Sequence, residues 1–322
     1  MKKIAVLTSG GDAPGMNAAV RSVVRTALTS GMEVIGISQG YLGLIQKKME
    51  PLGLSSVANI IQRGGTVLKS GRCMEFHKAE MRSQAAKNLS EAAVEGLVVI
   101  GGDGTFQGGH LLATEHQIRV VGIPGTIDND IYGTEETVGF DTALNTALEA
   151  IDRIRDTAAS HDRLFIVEVM GRDSGFIAID VGLAGGAEEV FIPENLANVD
   201  HAIQSIKRGM ARGKSSSILV AAEGRNPGRA YDLAEQIRRK AGFEAKVAVL
   251  GHIQRGGPPT ARDRILASRL GFAAVRALQQ GLTDIMVGVQ AGKVVSVSLK
   301  DCTTKKRAVP NELIELAQLL AH

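Results

Sequence analysis

Residues 124–130 read PGTIDND. A turn dipeptide, a hydroxyl and two carboxylates follow directly on the apolar run IRVVGI. Asp and Asn are common in turns, where their side chains bond the local backbone. In an extended segment, however, Asp128 and Asp130 point the same way. Two facing carboxylates repel unless a cation or a proton lies between them. That is the chemistry of a general base or of an acid beside a metal, and it needs positive partners from elsewhere in the chain.

Two glycine loops suit an anion. TSGGDAPG (8–15) and IGGDGT (100–105) put backbone N–H groups, unshielded by side chains, near the starts of helices. Such groups attract phosphate. Neither loop has the Lys-Ser/Thr ending of a Walker motif, and neither is a G-x-G-x-x-G fingerprint. A carboxylate beside a phosphate cradle, as Asp103 would be, is repulsive unless a cation bridges the two; Mg²⁺ is the usual one. The plainer alternative makes Asp12 or Asp103 an N-cap. Two copies of the loop together with PGTIDND favour phosphate binding. Arg72, in KSGRC, offers a charged fork to a nucleotide phosphate.

A second set of charges lies later. EVMGRDSG offers Glu168 and Arg172, and LGHIQRGG offers His252 and Arg255. SHDRLF adds Arg163, EAKVAV adds Lys246, and Glu223 follows SILVAA. Basic groups and a histidine at strand ends suit a phosphorylated, hydroxyl-rich ligand. PGTIDND is then expected between a nucleotide with Mg²⁺ and a sugar phosphate. Asp128 is the expected base at the acceptor hydroxyl, and Asp130 holds the metal indirectly or orients the acceptor.

These residues need a scaffold that brings loop ends together. Short β-branched runs recur: KIAVLT, EVIGIS, GLVVIG, RVVGIP, LFIVEV, SILVAA, KVAVLG and MVGVQ. Helical patterns lie between most of them. Met16, Ala19, Val20, Val23, Val24 and Ala27 keep helical spacing, as do Leu144, Leu148, Ile151 and Ile154. Alternating strand and helix predicts parallel sheets with helices on both faces, and ligands at the carboxyl ends of the strands. Each glycine-rich loop falls at such an end. The chain also resembles itself: VLTSGGDAPGMN with VVIGGDGTFQGG, and IVEVMGRDSG with LVAAEGRNPG.

With 322 residues, two domains are expected, divided near Gly139. Apolar content of 44% and charge content of 22% fit a globular protein. A net charge of +3 implies no general nucleic-acid or membrane surface. Cys73 and Cys302 give no disulfide framework. The amino-terminal apolar run breaks too early for a signal peptide, and no run reaches membrane-spanning length. A soluble, cytoplasmic protein is expected.

Seven blocks, TSGGDAPGMNA, VVIGGDGT, PGTIDND, GFDTALNT, IRDTAASH, VEVMGR and VLGHIQRGG, occur in order between residue 3 and about residue 290. Together they resemble the bacterial 6-phosphofructokinase family. The resemblance implies transfer of the ATP γ-phosphate to the 1-hydroxyl of fructose 6-phosphate, with Mg²⁺, in a homotetramer. It implies two Rossmann-like three-layer α/β domains with mostly parallel sheets, the chain crossing back between them. Residues 1–138 plus about 251–300 would bind ATP, and 139–250 plus about 301–322 would bind fructose 6-phosphate. Asp128 becomes the base and Asp103 the Mg²⁺-associated acid. Gly11, Arg72, Cys73, Gly102, Asp103, Gly104 and Thr105 fall at ATP positions. Thr126, Asp128, Met170, Gly171, Arg172, Glu223, His252 and Arg255 fall at sugar-phosphate positions, with Arg172 also steadying the transferred group. Arg163 and Lys246 would reach in from a neighbouring subunit. Gly104 and Gly125 stand where pyrophosphate users carry Asp and Lys, leaving room for the nucleoside of ATP.

An effector site for ADP or phosphoenolpyruvate is implied at Arg21, Arg25, Arg155, Gly186, Glu188, Arg212 and Lys214. Arg21 and Arg25 sit four apart on one helix face and can grip one phosphate. By the same resemblance Leu54 stands where an arginine is usual, Asn59 where an acid is usual, and Ser215 and Ser216 where a Lys-His pair is usual, so two to three positive charges are missing there. Lys246 replaces a usual arginine, Cys73 a usual large residue, and RDSGF (172–176) the usual Gly-Asp ending. Three alternatives stand beside this reading. A pyrophosphate-dependent relative shares most motifs. An NAD or lipid kinase shares only the first block. A nucleotide sensor without catalysis expects damage at Asp103, Asp128 or Arg172, and all three are intact.

Overall fold

Apolar runs of five or six residues, too uniform to leave one face in water, become the central strands. The computed structural model describes residues 1–160, 163–195, 199–224 and 227–321. His161 and Asp162 of SHDRLF, and Arg225 and Asn226 of LVAAEGRNPG, lie outside the described residues. The chain divides into two units. One comprises Met1–Ile127, Ile131–Thr142 and Arg255–Arg307; the other comprises Asp128–Asp130, Ala143–Gln254 and the chain from Ala308 onward.

The elements run β1 (Lys3–Thr8), α1 (Met16–Thr29), β2 (Glu33–Ile37), α2 (Gly40–Ile45), β3 (Met49–Pro51), α3 (Ala79–Glu91), β4 (Gly96–Gly101), α4 (Asp103–His116) and β5 (Val120–Pro124). Then come α5 (Phe140–Ala159), β6 (Leu164–Val169), α6 (Phe176–Gly185), β7 (Glu189–Phe191), α7 (Val199–Ala211), β8 (Ser217–Ala222), α8 (Arg229–Ala241) and β9 (Ala245–Val249). The chain ends with α9 (Ala261–Gln279), β10 (Ile285–Gln290), β11 (Lys293–Ser298), α10 (Leu299–Thr304) and α11 (Asn311–Leu320).

The first unit holds a seven-stranded sheet in the order β11-β10-β5-β4-β1-β2-β3. Its five central strands are parallel; β3 and β11 pair antiparallel at the two edges. Strand order reverses between β1 and β4. That is the topological switch point, where loops diverge to opposite faces and leave a crevice. On one face Ala5, Leu7, Leu97 and Val99 pack with Leu44 of α2, Leu89 of α3, Phe106 and Leu112 of α4, and Leu299 of α10. Alternate residues, Ile4, Val6, Val98 and Ile100, are fully buried on the other, where α1 and α9 lie against the sheet.

The start of α5 is held by a buried carboxylate. Asp263 of α9 accepts from Gly139 N at 2.7 Å, Thr142 N at 2.8 Å and the Thr142 hydroxyl at 2.5 Å. It is 1% exposed, and burial pushes its carboxyl up to about 6 against those three donors, with neighbouring Asp141 adding to the rise.

The second unit holds a parallel four-stranded sheet in the order β7-β8-β6-β9. Leu164, Ile166, Leu219 and Ala221 pack against Ile203 and Ile206 of α7 and Leu233 and Ile237 of α8. The mostly parallel α/β fold expected from the sequence is what forms. Among the described residues no helix is long and apolar enough to cross a membrane.

Candidate active site

In the first unit the β1 and β4 loops meet at the switch point. Ser9 N donates to Ile100 O at 3.0 Å, and the Thr105 hydroxyl donates to Ser9 O at 3.1 Å. A Cβ on Gly101 would stand 2.3 Å from Thr105 Oγ1 and 2.5 Å from Ser9 O, so only glycine admits this approach. Asp103 opens α4 as its first residue, exposed, after Gly102; neither Asp12 nor Asp103 is an N-cap. Gly104 faces open space. Gly125 does not: a Cβ there would meet Ile100 and Met16 at 3.1 and 3.2 Å. The expectation that both glycines leave room for a nucleoside is therefore corrected to Gly104 alone.

Arg72 and Cys73 arrive from a long excursion between β3 and α3, and side chains pin it to the β1 loop. The Thr8 hydroxyl donates to Lys69 O at 2.9 Å, Gly10 N to Gly71 O at 3.2 Å, and Ser70 Oγ to Gly10 O at 3.1 Å. Asn17 of α1 donates to Arg63 O and accepts from Val67 N. Arg72 is exposed. Burial, with the Glu75 carboxylate beside it, holds the Cys73 thiol above the ordinary value, so it is not a reactive thiolate. Tyr41, unremarked in the sequence, donates its hydroxyl to Thr105 O at 2.5 Å and stacks on Phe76 at 4.0 Å. Arg255 lies here too. Its guanidinium donates to Asp12 O at 3.4 Å and fills the space a Cβ on Gly11 would need, 1.8 Å from Nη1.

In the second unit the carboxyl ends of β8, β6 and β9 are neighbours. Glu223 N donates to Val169 O at 2.8 Å and Leu250 N to Glu168 O at 3.0 Å. This register places Met170, Gly171 and Arg172 beside Glu223 and beside the turn carrying His252. Met170 is buried; Arg172 and His252 are exposed. Gly171 has φ +143 and Arg172 φ +51. Glu168 is not an anion-site group. It is 1% exposed and accepts from Gly228 N and Ala230 N, both at 2.8 Å, which caps α8.

Arg163 and Lys246 stand at the amino ends of β6 and β9, with Lys246 opposite Phe165. The six-residue length of β6 separates them from Arg172 by roughly 20 Å at ~3.3 Å per residue. One chain therefore does not bring them to the Met170–Arg172 turn.

PGTIDND is not extended. Asn129 has φ +53, and the segment bends at Ile127 and Asp128. The premise that Asp128 and Asp130 share a face by strand alternation does not hold. The Thr137 hydroxyl donates to Thr126 O at 2.6 Å, and the Ser174 hydroxyl donates to Asp128 O at 3.0 Å.

Residues expected at an effector site occur in both units. Arg21 and Arg25 lie on the outer side of α1. Arg155 donates to the carbonyls of Gly185 and Gly186. Lys214 pairs with Glu188, which also accepts from Ile218 N. Arg212 is exposed.

The phosphofructokinase family model matches residues 3–278. An ATP-dependent 6-phosphofructokinase of Thermus thermophilus is 58% identical over 321 residues, covering 100% of both chains. Another, of Halothermothrix orenii, is 50% identical over 331 residues, also covering 100% of each. The solved phosphofructokinase of Saccharomyces cerevisiae matches with a TM-score of 0.87 at 35% identity; it covers 100% of this chain, which spans 48% of the yeast one.

Proposed function

The chain belongs to the phosphofructokinase family, and from that membership we infer that it transfers the γ-phosphoryl group of ATP to the 1-hydroxyl of fructose 6-phosphate. The products are fructose 1,6-bisphosphate and ADP, and the step is glycolytic. Full-length relatedness to enzymes named for this activity carries the reading. Intact Asp103, Asp128 and Arg172 support it.

The first unit is proposed to hold the nucleotide, through Gly11, Arg72, Cys73, Gly102, Asp103, Gly104 and Thr105. Support comes from the glycine loops at the β1–β4 switch point and the open space at Gly104. Thr105 contributes as a clamp, since its buried hydroxyl already serves Ser9. Among the described residues no group of three His, Cys, Asp or Glu side chains is set to hold a metal. The exposed carboxylate of Asp103 fits Mg²⁺, a cation that keeps waters and binds through one or two carboxylates and substrate phosphates. Bound there, Mg²⁺ would neutralise phosphate charge.

For the acceptor we assign Thr126, Asp128, Met170, Gly171, Arg172, Glu223, His252 and Arg255. Asp128 takes the proton of the 1-hydroxyl. The freed oxygen bonds to the γ-phosphorus as the bond to the ADP oxygen breaks, and Arg172 balances the charge on the group in transit. Arg163 and Lys246 serve the site of a second copy, supported by their place at the far ends of β6 and β9. A homotetramer is the assembly proposed. The test is a coupled assay with each donor in turn. ATP should support turnover and pyrophosphate should not; comparable rates with both would overturn the donor assignment.

A further inference from the structure

RDSGF spans residues 172–176 and carries Arg172 and Ser174. Within the second unit this stretch forms a tight turn into α6. Ser174 N donates to Gly171 O at 2.8 Å and closes the turn around Arg172. A Cβ at Gly171 would lie 2.4 Å from Ser174 O, so the turn requires glycine there. Arg172, at φ +51, sits in the left-handed region that side chains other than glycine seldom adopt. Such a conformation persists where surrounding contacts over-determine it. One contact lies upstream, where Met170 N donates to the buried Gln254 Oε1 at 2.8 Å.

The other is Ser174 itself. It is 3% exposed. A hydroxyl just ahead of a helix ordinarily accepts from the first-turn N–H groups. Here that contact, from Phe176 N, is long at 3.5 Å. The hydroxyl proton instead goes to the carbonyl oxygen of Asp128, 3.0 Å away and 46 residues distant in sequence. One side chain thus joins the backbone of Asp128 to the turn that presents Arg172.

We propose that Ser174 is a positioning residue for phosphoryl transfer, fixing Asp128 and Arg172 relative to each other through its hydroxyl. The proposal rests on the reading of Asp128 as base and Arg172 as charge partner. It gives RDSGF a role: serine at its third position supplies a tie that alanine cannot.

Ser174→Ala, Ser174→Cys and Asp128→Asn are compared with the unaltered enzyme for kcat, for KM toward fructose 6-phosphate and ATP, and for melting temperature. Displacement of reacting groups by a fraction of an ångström lowers the rate of the chemical step. Ser174→Ala should therefore lose about 5–20-fold in kcat with both KM values within about twofold. Ser174→Cys, of similar size and a weaker donor, should fall between. A role confined to folding would lower the melting temperature and leave kcat of the folded enzyme unchanged. Unchanged kcat in Ser174→Ala, or a loss carried wholly in KM, overturns the proposal. Should Ser174→Ala fail to fold, Ser174→Cys decides it: reduced kcat at constant KM supports the tie, and full kcat refutes it. Near-normal turnover in Asp128→Asn would remove the base assignment. Loss there with an unaltered Ser174→Ala removes only the tie.

Discussion

Asp128 carries the sharpest expectation at the level of single residues. As the proposed general base, it should cost about 10²–10⁴-fold in kcat when changed to asparagine, with little change in KM for fructose 6-phosphate. Steady-state kinetics on the purified variant measure this, and near-normal turnover would refute it. Asp263 offers a test in stability instead. Its folded value, about 6, lies above the ordinary 3.8 because burial disfavours the charge. The folded state thus holds the proton more tightly than the unfolded chain. The stabilisation from this group is complete below about pH 4 and is lost as pH rises through about 6. The difference amounts to about 3 kcal/mol. Asp263→Asn should flatten the fall in melting temperature between pH 4 and 7 relative to the unaltered protein. Parallel slopes for the two proteins would exclude this role.

At the level of elements, local patterns were legible and distant pairings were not. All eight apolar runs read from the sequence became strands; burial in a parallel sheet favours such segments, while β9, at the edge of its sheet, has no fully buried residue. β3 and β7, three residues each, are too short to leave a periodic mark. β11 escaped because its hairpin with β10 turns at Ala291–Gly292, with φ +47 and +74, and lacks the usual Asn-Gly signal. That turn yields a prediction. Ala291→Asn should relieve left-handed strain and raise the melting temperature by roughly 1–3 °C, a gain of about 0.5–1 kcal/mol. A lower melting temperature would contradict it. The glycine loops could be read because a tight strand-to-helix turn is encoded in consecutive residues. Tyr41, Ser174 and Asp263 could not, since their partners lie 64, 46 and 124 residues away. The left-handed Asn129 defeats strand alternation at Asp128 and Asp130; asparagine tolerates that conformation, but its presence alone does not demand it.

For the whole molecule, charge at the candidate effector residues sets the expectation. Leu54, which the resemblance sets at an arginine position, is 57% exposed, and the same resemblance sets Ser215 and Ser216 at a basic pair. The Lys214 charge is already paired with Glu188. Each missing charge-assisted bond is worth roughly 1.5–3 kcal/mol, so two losses weaken an effector by about 10²-fold or more. ADP and phosphoenolpyruvate should shift the fructose 6-phosphate saturation curve only at high concentration. A strong shift at micromolar phosphoenolpyruvate would show that the remaining arginines suffice.

The placement of Arg163 and Lys246 at the amino ends of their strands, with Arg172 and His252 at the carboxyl ends, has a genetic consequence. If each complete site draws on two chains, damage at the two ends of the sheet belongs to different sites. An Asp128→Asn chain and an Arg163→Ser chain, each nearly inactive alone, should restore part of the activity when unfolded together and reassembled. In the hybrid, some sites pair an intact Asp128 from one parent with an intact Arg163 from the other, while the remainder collect both lesions. Equal mixing of dimerically shared sites would return about a quarter of them. Two variants altered at the same end, Asp128→Asn with Arg172→Ser, should show no such recovery. Absence of recovery in the first mixture, with hybrid formation confirmed by mass, would mean that each chain is catalytically self-sufficient.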